Sequence, residues 1–96
     1  MNHLLEEIYQ ELRKTNAVRS AADFCRDWLG VERSYIAVLS AKNRTPSIRV
    51  LMTCAKRLDE FGATLAVSQY PAVSAQGQRL QQLAKDCAGD AWERVK

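Results

Sequence analysis

Histidine is almost missing from this chain: there is one, His3, beside 3 cysteines, 4 glycines and 2 prolines in 96 residues. One histidine cannot build a histidine-rich metal site. Cys25, Cys54 and Cys87 are odd in number and widely spaced, which matches neither a disulfide framework nor a zinc pattern. Each falls on the apolar side of a helical reading, where a free thiol acts as a small hydrophobe. No apolar run approaches the roughly 18–20 residues that span a bilayer. The opening residues, Met1 to Glu7, lack the charged-then-apolar plan of a signal peptide, so the expected location is the cytoplasm. No carboxylate pair, nucleophile–base set or phosphate-cradling glycine loop is visible. The expectation is a protein that is not an enzyme and needs no cofactor, metal or small-molecule ligand.

Acidic residues are scarce in the middle of the chain. Residues 1–18 hold two basic and three acidic groups, residues 59–96 four and five, but residues 19–58 eight and three. The overall charge of +3 is thus a central block of +5 between two segments of −1. A polyanion would meet the protein at that block.

Apolar spacing predicts an all-α fold of about five helices. Residues 2–14 carry Leu4, Leu5, Ile8 and Leu12 on one face and acids and bases on the other. Ser20 is a good N-cap for a second helix, with Ala21, Phe24, Cys25, Trp28 and Leu29 as its buried stripe and Gly30 at its end, in the left-handed conformation that suits glycine. A third, short helix is expected from about Arg33 to Ala41, with Ile36 and Leu39 pointing inward and Val31 packed beside them. Lys42 to Pro46 reads as a polar loop in which Asn43 takes the left-handed conformation. Thr45 and Pro46 look like the N-cap and first residue of a fourth helix, with Ile48, Leu51, Met52, Ala55 and Leu58 inward and Gly62 as its stop. Leu65-Ala66-Val67 reads as a loop or a short strand. A last helix is expected from about Ser74 to Val95. Gly89 interrupts it at a cost of about 1 kcal/mol relative to alanine.

The run Leu29-Gly30-Val31-Glu32-Arg33-Ser34-Tyr35-Ile36, continued by Arg44-Thr45-Pro46-Ser47-Ile48, resembles the Cro/repressor (XRE-type) helix-turn-helix family over about residues 18–58. The resemblance implies a phage-repressor-like DNA-binding domain over 1–62 and a C-terminal helical extension over 63–96. In such a unit the second helix of the pair enters the major groove, which is wide enough for one α-helix. Base readout would then fall to Glu32, Arg33, Ser34, Ala37 and Val38. Phosphates would be held by Arg19, Ser20, Tyr35, Lys42, Asn43, Arg44, Thr45 and Ser47. The chain departs from the family where a small residue is expected four positions before the turn glycine, because Arg26 stands there. Either Arg26 bends away, or the helix is shifted by one residue so that Cys25 takes that role. Glu32 replaces a serine cap, and Ser40 and Lys42 replace a glutamate and a glycine.

The function that follows is sequence-specific binding of double-stranded DNA by a transcriptional regulator, a repressor occupying a promoter. Residues 63–96 would supply a homodimer contact through Leu80, Leu83, Ala84, Cys87, Ala91 and Trp92, and the operator would be an inverted repeat. The alternative is a protein-interaction, adaptor or antitoxin-like module that keeps the fold without binding DNA. Glu32, Ala37 and Ala41 favour it, because they read bases poorly.

Overall fold

The computed structural model describes residues 2–95, and every regular element among them is helical. The order is α1 (His3–Lys14), α2 (Ala21–Phe24), a π-helical segment (Cys25–Leu29) that continues α2, α3 (Tyr35–Ala41), α4 (Ile48–Ala66) and α5 (Pro71–Glu93). None of these helices is long and apolar enough to cross a membrane.

Local chemistry sets the boundaries. Asn2 caps α1, its side-chain oxygen accepting from the Leu4 and Leu5 amides at 3.0 and 3.3 Å. The helix ends just before Asn16, which has φ +60°, a conformation asparagine tolerates better than most residues. Ser20 caps α2, its hydroxyl accepting from the Asp23 amide at 3.2 Å. The next turn is widened: the Gly30 amide donates back five residues to the Cys25 carbonyl. A π turn of this kind holds one residue more than an α turn. It leaves Cys25 fully buried and Arg26 in solvent. Gly30 then ends the helix at φ 69°, ψ 34°.

Four boundaries differ from expectation, the last being that α5 opens at Pro71 and not near Ser74. Helix α3 starts at Tyr35, two residues late, because the Tyr35 amide bonds the Glu32 carbonyl in a turn at 3.0 Å. Arg33 and Ser34 therefore lie in that turn. Helix α4 is capped by Ser47, whose hydroxyl accepts from the Val50 amide at 3.2 Å. Thr45 stays outside the helix, and Pro46 is a buried residue of the approach to it. The third difference is that α4 does not stop at Gly62 but runs on through Leu65 and Ala66, which are helical and not loop or strand.

Gly62 has a different task. Helices α4 and α5, joined by the four residues 67–70, run back to back and cross where Gly62 meets Gly77. A β-carbon on Gly77 would sit 2.5 Å from the Gly62 carbonyl oxygen and 2.4 Å from the Ala66 amide nitrogen. Only two bare backbones pack this closely. The Ser74 hydroxyl fastens the same end by donating to the Ala66 carbonyl at 2.8 Å.

One core serves the whole chain. Leu5, Ile8 and Leu12 of α1, Phe24 to Leu29, Ile36, the inner face of α4 and the inner face of α5 form a single buried cluster. The boundary expected at residue 62 falls inside α4, so residues 1–62 and 63–96 do not bury separate cores. No polar or charged side chain is buried among the described residues. Trp28 packs edge-on against Phe61 at 5.5 Å, and Tyr9 against Phe24 at 5.5 Å.

Candidate functional site

The described chain separates its cations into two groups. Lys14, Arg26, Lys56, Arg79 and Arg94 each pair with an acid, on Glu11, Asp23, Glu60, Glu7 and Asp90. Arg57 donates to the Arg26 and Asp27 carbonyls at 3.4 and 2.8 Å and so closes the open end of the π segment. Arg13 lies over the Tyr9 ring. By contrast, Arg19, Arg33, Lys42, Arg44, Arg49 and Lys85 are exposed and make no hydrogen bond or ion pair among the described residues. Four of these six flank α3, one in the turn before it, two in the loop after it and one on the first turn of α4.

The physical reason lies in the sequence. Between residues 28 and 58 the only acid is Glu32, so the cations there have almost nothing to pair with. Their mutual repulsion is tolerated because each remains in water.

Helix α3 itself is held by one buried residue, Ile36, with Tyr35 and Leu39 half-buried. Its outer side carries Ala37, Val38, Ser40 and Ala41, all exposed, and the turn before it exposes Glu32, Arg33 and Ser34. The residues expected to read bases thus lie together on one accessible surface. Beside this surface are two shallow hollows. One, of about 410 Å³, is lined by Val31, Glu32, Ser34, Tyr35 and Val38. The other, of about 360 Å³, is bordered by Tyr35, Ser47, Arg49, Thr53 and Arg57.

The expected phosphate ligands divide into those at liberty and those with a structural duty. Lys42, Arg44 and Thr45 are exposed on the loop after α3, and Asn43 turns that loop at φ +50°. The Tyr35 hydroxyl accepts from the Ser47 amide at 3.3 Å and so links α3 to the start of α4, leaving its own hydrogen to donate. The Ser47 and Ser20 hydroxyls are occupied as caps. Arg19 and Ser20 lie before α2.

Arg49 borders the second hollow with Tyr35 and Ser47 and adds to the surface around α3 a cation that is not among the expected phosphate ligands. Arg94 was also missed. Its guanidinium donates to the Pro46 carbonyl, so the end of α5 braces the loop that follows α3. The signal that could have found it is weak: Pro46 offers a carbonyl that no helix consumes.

The expected dimer stripe is corrected by burial. Leu80, Leu83, Ala84, Cys87 and Ala91 are at most 5% exposed in the single chain. They form the inner face of α5 against α4 and α1, because two long helices joined by a short turn bury each other first. Only Trp92 of that set faces solvent, at 78% exposure. All three cysteines are buried. The Cys87 thiol hydrogen-bonds that of Cys54 and, together with burial, raises its pKa well above the ordinary thiol value. Cys54 is therefore a neutral core residue at physiological pH. Among the described residues, no group of histidines, cysteines and acids could hold a metal ion.

The chain belongs to DUF6626, a family of unknown function whose model matches residues 5–95. No curated protein and no solved structure matches it.

Proposed function

We propose that the protein binds double-stranded DNA through the unit formed by α2, the π segment and α3, and acts as a transcriptional regulator, a repressor that occupies its promoter as a dimer. The observation that carries this reading is the set of unpaired cations, Arg33, Lys42, Arg44 and Arg49, around an exposed short helix with small outward side chains. Such a helix fits a major groove closely, and cations on its borders meet the two phosphate strands. In this reading Arg33 and Ser34 approach base edges from the turn, Ala37 and Val38 offer apolar contact to thymine methyl groups, and Lys42, Arg44 and Arg49 hold phosphates. Tyr35 adds a hydroxyl donor between the two sets.

Selection of bound duplexes from a random-sequence pool tests the proposal. Enrichment of a shared motif supports a sequence-specific regulator. Recovery of no duplex above background at low salt contradicts it.

A second reading is favoured by the hollow lined by Val31, Tyr35 and Val38. It is apolar enough to take a side chain from a protein partner, as an adaptor or antitoxin-like module would require. Glu32 beside it would repel a phosphate. On this reading no duplex is enriched, and Val38→Glu abolishes binding to the partner protein.

A further inference from the structure

Arg49, Thr53 and Arg57 follow one another at four-residue spacing, so α4 carries two arginines on one stripe with a threonine between them. That stripe borders the second hollow beside α3, of about 360 Å³, which Gly30, Tyr35 and Ser47 also line over the buried Leu29 and Val50. Neither arginine pairs with an acid among the described residues. Arg57 is half-buried and tied through one terminal nitrogen to the Arg26 and Asp27 carbonyls. Its other terminal nitrogen lies beside Gly30, 3.6 Å from the position a β-carbon would take. Two hydroxyls in the hollow keep a hydrogen to donate, because Tyr35 accepts from the Ser47 amide and Ser47 accepts from the Val50 amide. No carboxylate lines the hollow, and Glu32 belongs to the neighbouring one.

We propose that this hollow is a binding site for one phosphate group, held by both arginines together with the Tyr35 and Ser47 hydroxyls. A planar guanidinium presents paired N–H donors that match phosphate oxygens. The two hydroxyls supply further donors, which a tetrahedral oxyanion has room to accept. The repulsion between the two cations, which no acid in the hollow relieves, is relieved by the anion. Arg57 loses little freedom on binding, because its bonds to the two carbonyls already hold it, and that lowers the ordering cost a free side chain would carry. At about 360 Å³ the hollow is at the low end of the roughly 300–1,000 Å³ of small-molecule sites, so it also has room for atoms that carry the phosphate. A small phosphomonoester and the backbone of a duplex present the same oxygens. The site is therefore defined by phosphate chemistry and does not need the DNA reading.

Titration of the isotope-labelled full chain with inorganic phosphate, at constant ionic strength against chloride, tests the site by NMR. Saturable shifts are expected at the Gly30, Ser47 and Arg49 amides and at the Arg57 side-chain Nε, with a dissociation constant in the millimolar range. Arg49→Gln should weaken binding about tenfold through the lost charged hydrogen bonds. Its helical circular dichroism should be unchanged, since Arg49 is exposed and makes no bond among the described residues. Tyr35→Phe should weaken binding about threefold, whereas Arg44→Gln and Lys85→Gln should leave the titration as it is. Shifts that do not saturate, that spread evenly over all exposed cations, or that survive Arg49→Gln overturn the proposal. Phenyl phosphate and a random duplex then separate the two sources, and either outcome upholds the site. Phenyl phosphate binding tighter than inorganic phosphate without displacing the duplex assigns the hollow to a small phosphomonoester. Phosphate competing with the duplex at constant ionic strength assigns it to the DNA backbone. A saturable phosphate site in a chain with no affinity for duplex DNA keeps this inference and discards the DNA-binding one. Duplex binding with no phosphate in the hollow does the reverse.

Discussion

Alanine at Gly77 and alanine at Gly89 are the same chemical change in the same helix, and the structure gives them opposite signs. In an exposed helix interior, glycine to alanine gains up to about 1 kcal/mol from reduced backbone freedom in the unfolded chain. At Gly89 a β-carbon meets nothing within 4 Å, so that gain is realised whole and Gly89→Ala stabilises by about 0.5–1 kcal/mol. At Gly77 the new carbon would lie 2.4 and 2.5 Å from backbone atoms of Ala66 and Gly62. No rotamer change can relieve a clash between backbone atoms, so α4 and α5 must separate by about an ångström, against a carbon contact distance of 3.5–4.0 Å. Overpacking of this kind costs about 1–3 kcal/mol. The separation also loosens Leu58 and Leu80, both fully buried near the crossing. Net of the helix gain, Gly77→Ala is expected to destabilise by about 1–3 kcal/mol. Urea unfolding followed by circular dichroism reads both, as shifts of midpoint at constant slope. If Gly77→Ala is as stable as wild type, the backbone crossing of α4 and α5 is not as described.

The other predictions address the core, the thiol pair and the basic surface. Leu83→Ala should lower stability by about 2–5 kcal/mol, because the side chain is fully buried within one chain. A variant with wild-type stability and a broken dimer would instead return α5's stripe to the interface. Cys54 should resist alkylation until the protein unfolds. Its raised pKa means the folded state holds the thiol proton more tightly than the unfolded state. Stability is thus unaffected below the ordinary thiol pKa of about 8.5 and falls as pH rises above it; Cys54→Ala should lose that part of the fall in pH-dependent urea titrations. Arg33→Ala should cost about 1–3 kcal/mol on a selected duplex and relax preference at one or two base pairs. Arg44→Ala should weaken selected and random duplexes about equally, and a loss confined to the selected sequence would make Arg44 a base reader instead.

Much of the fold was readable because it follows from short-range chemistry. Ser20 as a cap, Gly30 and Asn43 in left-handed conformations and the amphipathic α1 need only local sequence. The misreadings arise where tertiary contact outweighs local signal. Gly62 looks like a helix stop, yet it is kept inside α4 because Gly77 needs its bare backbone. Thr45-Pro46 is as good a helix start as Ser47 in sequence, but Pro46 is buried and its carbonyl is taken by Arg94 from the far end of the chain. Ile48 and Met52 fit the apolar period of α4, and only the thinness of the fold, 18 Å in its narrowest direction, leaves them exposed. For the candidate site, sequence placed the exposed residues around α3 together. It could not show which cations have partners, since Arg57 and Arg49 are alike in sequence but one binds backbone carbonyls and the other faces solvent.

The central claim, that the surface around α3 engages the phosphates of duplex DNA, is tested most directly by the salt dependence of binding. Fluorescence anisotropy with a labelled random duplex, at 50 to 200 mM salt, gives the slope of log affinity against log salt. About three phosphate contacts, from Lys42, Arg44 and Arg49, predict a slope near −2.7 per bound chain at about −0.9 per phosphate. Replacing those three by alanine should flatten the slope toward zero, whereas replacing Lys14, Arg79 and Lys85, which lie outside that surface, should leave it unchanged. No binding at 50 mM salt, or a slope that the α3-side substitutions do not alter, would contradict the account.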